Sequence, residues 1–88
     1  MTAQVPRVLT IAGTDPTGGA GAQADIKSIQ AAGGFALSAI TALVSQNTHG
    51  VTSVDYPEYS TVRSQLDAIS DDVEIDAVKI GMLARIDY

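Results

Sequence analysis

Val8-Leu9-Thr10-Ile11-Ala12-Gly13-Thr14-Asp15-Pro16-Thr17-Gly18-Gly19-Ala20-Gly21-Ala22-Gln23-Ala24-Asp25 is the stretch whose reading decides the fold. It begins as a buried strand, passes through a glycine-rich loop and enters a helix. Gly13, Gly18, Gly19 and Gly21 lie in the connection. A loop of this kind leaves backbone N–H groups open and lets a ligand approach closely. At a helix N-terminus those groups favour small polar or anionic molecules.

The rest of the chain repeats the same alternation of strand and helix. Residues 7–12 read as the first strand and residues 20–32 as the first helix. Ala22, Ile26 and Ile29 follow helical spacing, and Gly33-Gly34 supply a left-handed C-cap. Residues 35–44 are apolar on both faces, as a central parallel strand requires. Residues 45–50, Ser-Gln-Asn-Thr-His-Gly, read as a polar loop at its carboxyl end. Residues 51–56 form a short strand or extended segment stopped by Pro57. Residues 58–70 read as a second helix with Tyr59, Val62, Leu66 and Ile69 on one face. Residues 75–82 read as a further strand, and another helix is expected to begin at Leu83.

This order predicts an α/β fold: a parallel sheet joined by right-handed crossovers, with helices packed on its faces. Ligands of open parallel sheets bind beyond the carboxyl ends of the strands. Residues 13–21, residues 45–50 and Gly81-Met82 all fall at that edge and are expected to line one pocket.

Composition narrows the function. Eighty-eight residues make at most one small domain, close to the lower limit of independent stability. There is no cysteine, so disulfides and a Cys-ligated zinc site are excluded, and a single histidine argues against a His-rich metal site. Aromatic content of 5% against 45% hydrophobic residues makes the core aliphatic and alanine-rich. The net charge is −5, with no run of lysine or arginine, which argues against nucleic acid or an anionic membrane as partner. The longest apolar run is too short to span a bilayer, and no signal peptide is visible. The expectation is a cytoplasmic protein.

Known phosphate loops do not account for the glycines. Gly13 and Gly18 have the spacing of a P-loop, but Gly19 and Ala20 stand where lysine and Ser/Thr are required. Residues 19–24 fit a dinucleotide fingerprint, yet the acidic residue expected at the end of the second strand is missing. Asp15, ahead of Pro16, suits an Asx-turn that shapes the loop. Asp25 has two readings. It either complements the helix dipole or accepts a hydrogen bond from a substrate hydroxyl or amine, and position alone favours the dipole. Gln46 and Asn47 carry amides that can read the edge of a nitrogen heterocycle, or can serve the loop. His49 reads as an exposed loop residue. Lys79, alone in an apolar strand, is expected to reach solvent. Met82 is either core filler or the wall of a planar ligand's pocket. The acids at residues 71–76 read as a solvated turn on the opposite edge.

Three blocks carry a more specific signal: residues 9–25 quoted above, Ile40-Thr41-Ala42-Leu43-Val44-Ser45-Gln46-Asn47-Thr48, and Val78-Lys79-Ile80-Gly81-Met82-Leu83. In order and spacing they resemble the opening of the hydroxymethylpyrimidine/phosphomethylpyrimidine kinases. The resemblance implies a three-layer α/β/α fold of the ribokinase-like superfamily, with a mostly parallel central sheet. It also implies ATP- and Mg²⁺-dependent phosphorylation of 4-amino-5-hydroxymethyl-2-methylpyrimidine and then of its monophosphate, on the route to thiamine, by an enzyme commonly dimeric. By the same resemblance Gln46 should bond the aminopyrimidine, and Gly13, Ala20, Asp25, Val44 and Met82 should line the pocket around it. Family members continue well past residue 88. Residues 1–88 therefore correspond to the substrate-side, N-terminal portion of one kinase domain. The ATP site, the anion hole and the catalytic base are expected elsewhere, with no catalytic residue here and no kinase activity from these residues alone. The alternatives are a vitamin kinase acting on pyridoxine-type alcohols and a non-catalytic binding module.

Overall fold

A computed structural model describes residues 5–83. The elements run β1 (Arg7–Gly13), α1 (Gly21–Ala31), β2 (Phe35–Asn47), β3 (Gly50–Asp55), α2 (Tyr59–Ser70) and β4 (Ala77–Ile80). The helix expected from Leu83 onward falls on residues 84–88, outside those described. The strands form one sheet in the order β3-β2-β1-β4. β1 lies at its centre, parallel to β2 on one side and to β4 on the other.

The core follows from the small residues of β1 and β2. Leu9 and Thr10 are both buried, as are Thr41 and Ala42. Adjacent strand residues point to opposite faces, so both faces of the sheet centre are covered. α1 links β1 to β2 and α2 leads back toward β4. Right-handed connections running in opposite directions from the sheet centre put the two helices on opposite faces. The aliphatic, alanine-rich core read from composition is borne out, with Ala12, Ala22, Ala39 and Ala42 buried beside Leu9 and Val62. No helix among the described residues is long and apolar enough to cross a membrane.

The ends of α1 are set by glycine. At its C-terminus Gly33 takes φ +92°. Its N–H donates to the Gln30 carbonyl and that of Gly34 to the Ile29 carbonyl, which together make a Schellman motif. The left-handed cap is where the sequence puts it.

The second strand differs from expectation. β2 runs three residues beyond Val44, through Ser45, Gln46 and Asn47, and these pair antiparallel with β3 in a hairpin that turns at Thr48-His49. The polar loop expected over residues 45–50 is therefore mostly strand, and the sheet is mixed rather than wholly parallel. Polar side chains suit strand geometry here because this end of the sheet is open to solvent on alternate positions. The last strand is also shorter than the residues 75–82 expected, at Ala77–Ile80, and all four of its residues are exposed at the sheet edge.

β3 pairs only with the distal half of β2, from Leu43 onward. Upstream of that point the outer edge of β2 needs another partner. Gln65 of α2 supplies it: the Ile40 N–H donates to Gln65 Oε1 at 2.8 Å, and Gln65 Nε2 donates to the Ile40 carbonyl at 2.9 Å. One carboxamide thus completes the ladder where the neighbouring strand stops.

Candidate functional site

The loop that leaves β1 is held in shape by its own aspartate. Asp15 is 4% exposed, and its Oδ1 accepts from the Thr17 N–H at 2.9 Å and the Thr17 hydroxyl at 2.7 Å. Its Oδ2 accepts from the Gly19 N–H at 3.1 Å. The side-chain bond from Thr17 is the main reason its carboxyl lies below the ordinary aspartate value, with further help from the backbone N–H groups of Thr17, Gly19 and Ala20. This is the Asx-turn role read from the sequence. Gln23, in the first turn of α1, accepts from the Asp15 N–H at 2.8 Å and ties loop to helix.

Thr14 ties the same loop to β2. Its N–H donates to the Ala42 carbonyl at 2.9 Å, and its hydroxyl oxygen accepts from the Val44 N–H at 2.9 Å. Gly21 then opens α1 at φ +61°. A Cβ there would lie 2.5 Å from the Gly13 carbonyl oxygen, so only glycine allows the helix to start this close to the end of β1. No side chain caps the helix at Ala20.

These constraints leave a cavity of about 350 Å³ at the carboxyl ends of the strands. Gly13, Ala20, Asp25, Val44, Gln46 and Met82 all line it. They come from the β1–α1 connection, the body of α1, the distal part of β2 and the segment after β4. The convergence of separate stretches on one cavity, expected from strand order alone, is present. Gln46 reaches it from a strand rather than from a loop, and a register shift between Ser45 and Gln46 accompanies that position.

Asp25 stands beyond the first turn of α1, which holds no acidic residue. The dipole reading that position favoured is therefore displaced by a specific contact set. Asp25 Oδ2 accepts from the Thr10 hydroxyl at 2.6 Å, and Oδ1 accepts from Lys79 Nζ at 2.6 Å. Burial pushes the Asp25 carboxyl up. The hydrogen bonds from Lys79 and Thr10 and the nearby ammonium charge outweigh it and hold the carboxyl below its ordinary value.

Lys79 was expected to reach solvent. Its side chain is 58% exposed, yet its ammonium is committed to Asp25, whose side chain is only 14% exposed, and the lysine lines the cavity. The partners are 54 residues apart in sequence, and the register that aligns Thr10 with Lys79 across β1 and β4 brings them together. A lone cation in an apolar strand at the carboxyl edge of a sheet is the signal that could have marked it. Val51 and Val54 of β3 also line the cavity. They were missed because the hairpin was missed. His49 has its backbone N–H bonded to the Asn47 side chain and sits in the exposed turn, outside the lining.

The lining is mostly apolar, with the Gln46 carboxamide, the Asp15 and Asp25 carboxylates and the Lys79 ammonium as its amide and charged groups. An apolar wall with a few placed polar groups is the usual make-up of a small-molecule site. Among the described residues no group of three or more His, Asp or Glu could hold a metal ion. The single cation in the cavity is already paired. The residues described do not by themselves fit a nucleotide–metal complex.

A family profile, phosphomethylpyrimidine kinase, matches residues 15–88. The chain belongs to the phosphomethylpyrimidine kinase family. Among its relatives, the thiamine biosynthesis multifunctional protein of Corynebacterium efficiens is 67% identical over 93% of this chain, which spans 11% of that protein. The hydroxymethylpyrimidine/phosphomethylpyrimidine kinase of Escherichia coli is 60% identical over 90% of this chain and 30% of its own length. The chain thus spans less than a third of these two relatives. The crystal structure of the phosphomethylpyrimidine kinase of Clostridium difficile superimposes with a TM-score of 0.87 at 44% identity, covering 91% of this chain and 35% of that one. The pyridoxal kinase of Bacillus subtilis, solved as an ADP complex, superimposes with a TM-score of 0.85 at 38% identity, covering 96% and 33%. The phosphomethylpyrimidine kinase fold read from the sequence, α/β and ribokinase-like, is therefore established.

Proposed function

We propose that this chain forms the ring-binding side of a kinase site for 4-amino-5-hydroxymethyl-2-methylpyrimidine and its monophosphate, in thiamine biosynthesis. The observation that carries the reading is the meeting of Gln46 and Asp25 in one apolar-walled cavity. Gln46 offers a donor and an acceptor to the edge of an aminopyrimidine, Val44 and Met82 flank the ring, and Asp25 accepts from an amine or hydroxyl. The loop from Gly13 to Ala20 sets how close the ring comes to the backbone.

The phosphoryl donor in this reading is ATP with Mg²⁺. Phosphoryl transfer depends on positioning and on charge stabilisation around the phosphates, and the described residues offer no such arrangement. That part of the reaction belongs to segments of the kind that relatives carry outside the matched region. A homodimeric, cytoplasmic enzyme is part of the same proposal. A pyridoxine-type alcohol is the second reading, supported by the solved pyridoxal kinase that superimposes almost as well.

The test is Gln46→Ala in the intact polypeptide that carries this sequence. Affinity for the pyrimidine alcohol, measured by calorimetry beside pyridoxine, is expected to fall about tenfold or more, the loss for a buried polar contact left unmade. Unchanged affinity for the pyrimidine overturns the reading. Tighter binding of pyridoxine than of the pyrimidine moves the assignment to the second reading.

A further inference from the structure

Thr10, Asp25 and Lys79 form one hydrogen-bonded set, of which Asp25 and Lys79 line the cavity. Thr10 is fully buried on β1, Lys79 is its register partner on β4, and Asp25 comes down between them from α1. Each carboxylate oxygen of Asp25 takes one of these donors. A carboxylate accepts about four hydrogen bonds in all, so capacity is left on a group that faces the cavity. The charges near it are few. Lys79 is the cation on β4, Asp15 in the loop is the other lining carboxylate and is satisfied by its own loop, and Lys27 on the same helix is turned to the Gly18 carbonyl.

We propose that Lys79 and Thr10 are positioning residues for Asp25, fixing its carboxylate as an acceptor that selects ring ligands bearing an N–H or O–H donor over those bearing a methyl group or hydrogen in its place. The selection of a donor-bearing pyrimidine rests on the function proposed above; the positioning of Asp25 does not. Thr10 fixes one oxygen from a rigid buried strand. Lys79 fixes the other and neutralises the charge, so a neutral ligand meets a polarised but balanced pair. A donor on the ligand completes the acceptor set. A methyl group in the same place leaves the carboxylate short of a partner and desolvated, which discriminates strongly.

Lys79→Met in the intact polypeptide is the main variant, because it removes the ammonium while keeping an unbranched side chain at a position more than half exposed among the described residues. Lys79→Arg and Thr10→Val accompany it. Two readouts are taken. The first is the titration of the Asp25 carboxyl carbon by NMR without ligand. Its midpoint is expected to move up in Lys79→Met, because the cation that favours the charged form is gone, and to return in Lys79→Arg. The second is affinity for 4-amino-5-hydroxymethyl-2-methylpyrimidine beside 2,5-dimethylpyrimidine, which lacks both donors. Lys79→Met is expected to weaken the first about tenfold, the scale of one charge-assisted contact, and to leave the second within about twofold. On acidification, loss of the donor-bearing ligand should set in at higher pH in Lys79→Met than in the parent. The ligand's own titration is common to both proteins and cancels.

A midpoint that stays put in both Lys79→Met and Thr10→Val overturns the positioning of Asp25. Equal weakening of both pyrimidines overturns the selection of donors. If the parent protein binds neither pyrimidine, the proposed function falls, and the carboxyl titration still decides the role of Lys79.

Discussion

At the scale of single residues, two glycines with positive φ do different work. Gly33 ends α1 at φ +92° with nothing within 4 Å of where a Cβ would stand. Gly21 begins α1 at φ +61° with the Gly13 carbonyl oxygen only 2.5 Å from that point. Gly33→Ala therefore costs the left-handed conformation alone, about 1–2 kcal/mol. Gly21→Ala adds a backbone clash that the loop relieves only by moving away from the cavity. Denaturant unfolding of the two variants should show the larger loss at Gly21, and ligand affinity should fall with Gly21→Ala while Gly33→Ala leaves it intact. Both glycines stand out in the sequence as punctuation, and the Schellman end of α1 was legible from Gly33-Gly34. The clash that makes Gly21 obligatory was not, because it depends on how near α1 starts to the end of β1. The same limit hid Lys79. Its chemistry is set by a cross-strand neighbour and a helix 54 residues away.

At the scale of elements, the hairpin is the part that sequence reading misplaced. The pattern over residues 45–47 is polar, and the Thr48-His49 turn lacks the Asn-Gly or Asp-Gly pair that marks a tight hairpin. A register shift at Ser45/Gln46 breaks the alternation further. β1, α1 and α2 were legible because their periodicity is uninterrupted. The incomplete pairing of β2 is compensated by Gln65, and that compensation can be measured. Gln65→Ala leaves the Ile40 N–H and carbonyl without their partners in a half-buried setting. It should cost about 1–3 kcal/mol of stability, and hydrogen exchange at the Ile40 amide should accelerate before exchange in β1 does. Unchanged exchange at Ile40 would mean that water satisfies the strand as well as the carboxamide.

At the scale of the whole molecule, the described residues leave apolar surface at the sheet edge. Val78 and Ile80 on β4 are 52% and 60% exposed, and no strand among the described residues pairs with the outer side of β4. An open strand edge beside exposed aliphatic side chains is a template for association. The 88-residue chain on its own should scatter light as oligomers at micromolar concentration, and Ile80→Lys should reduce that association without abolishing helical circular dichroism. A clean monomer with a cooperative melt would instead mark a self-sufficient module.

The cavity draws on residues 12–25, 44–54 and 79–82, so nearly the whole span must be in place before it exists. During synthesis Met82 must clear the ribosome before a small molecule can find the complete cavity. A small molecule that binds there stabilises the state in which β4 is docked against β1, so occupancy of the cavity and closure of this side of the described sheet are thermodynamically joined from the moment that strand leaves the exit tunnel.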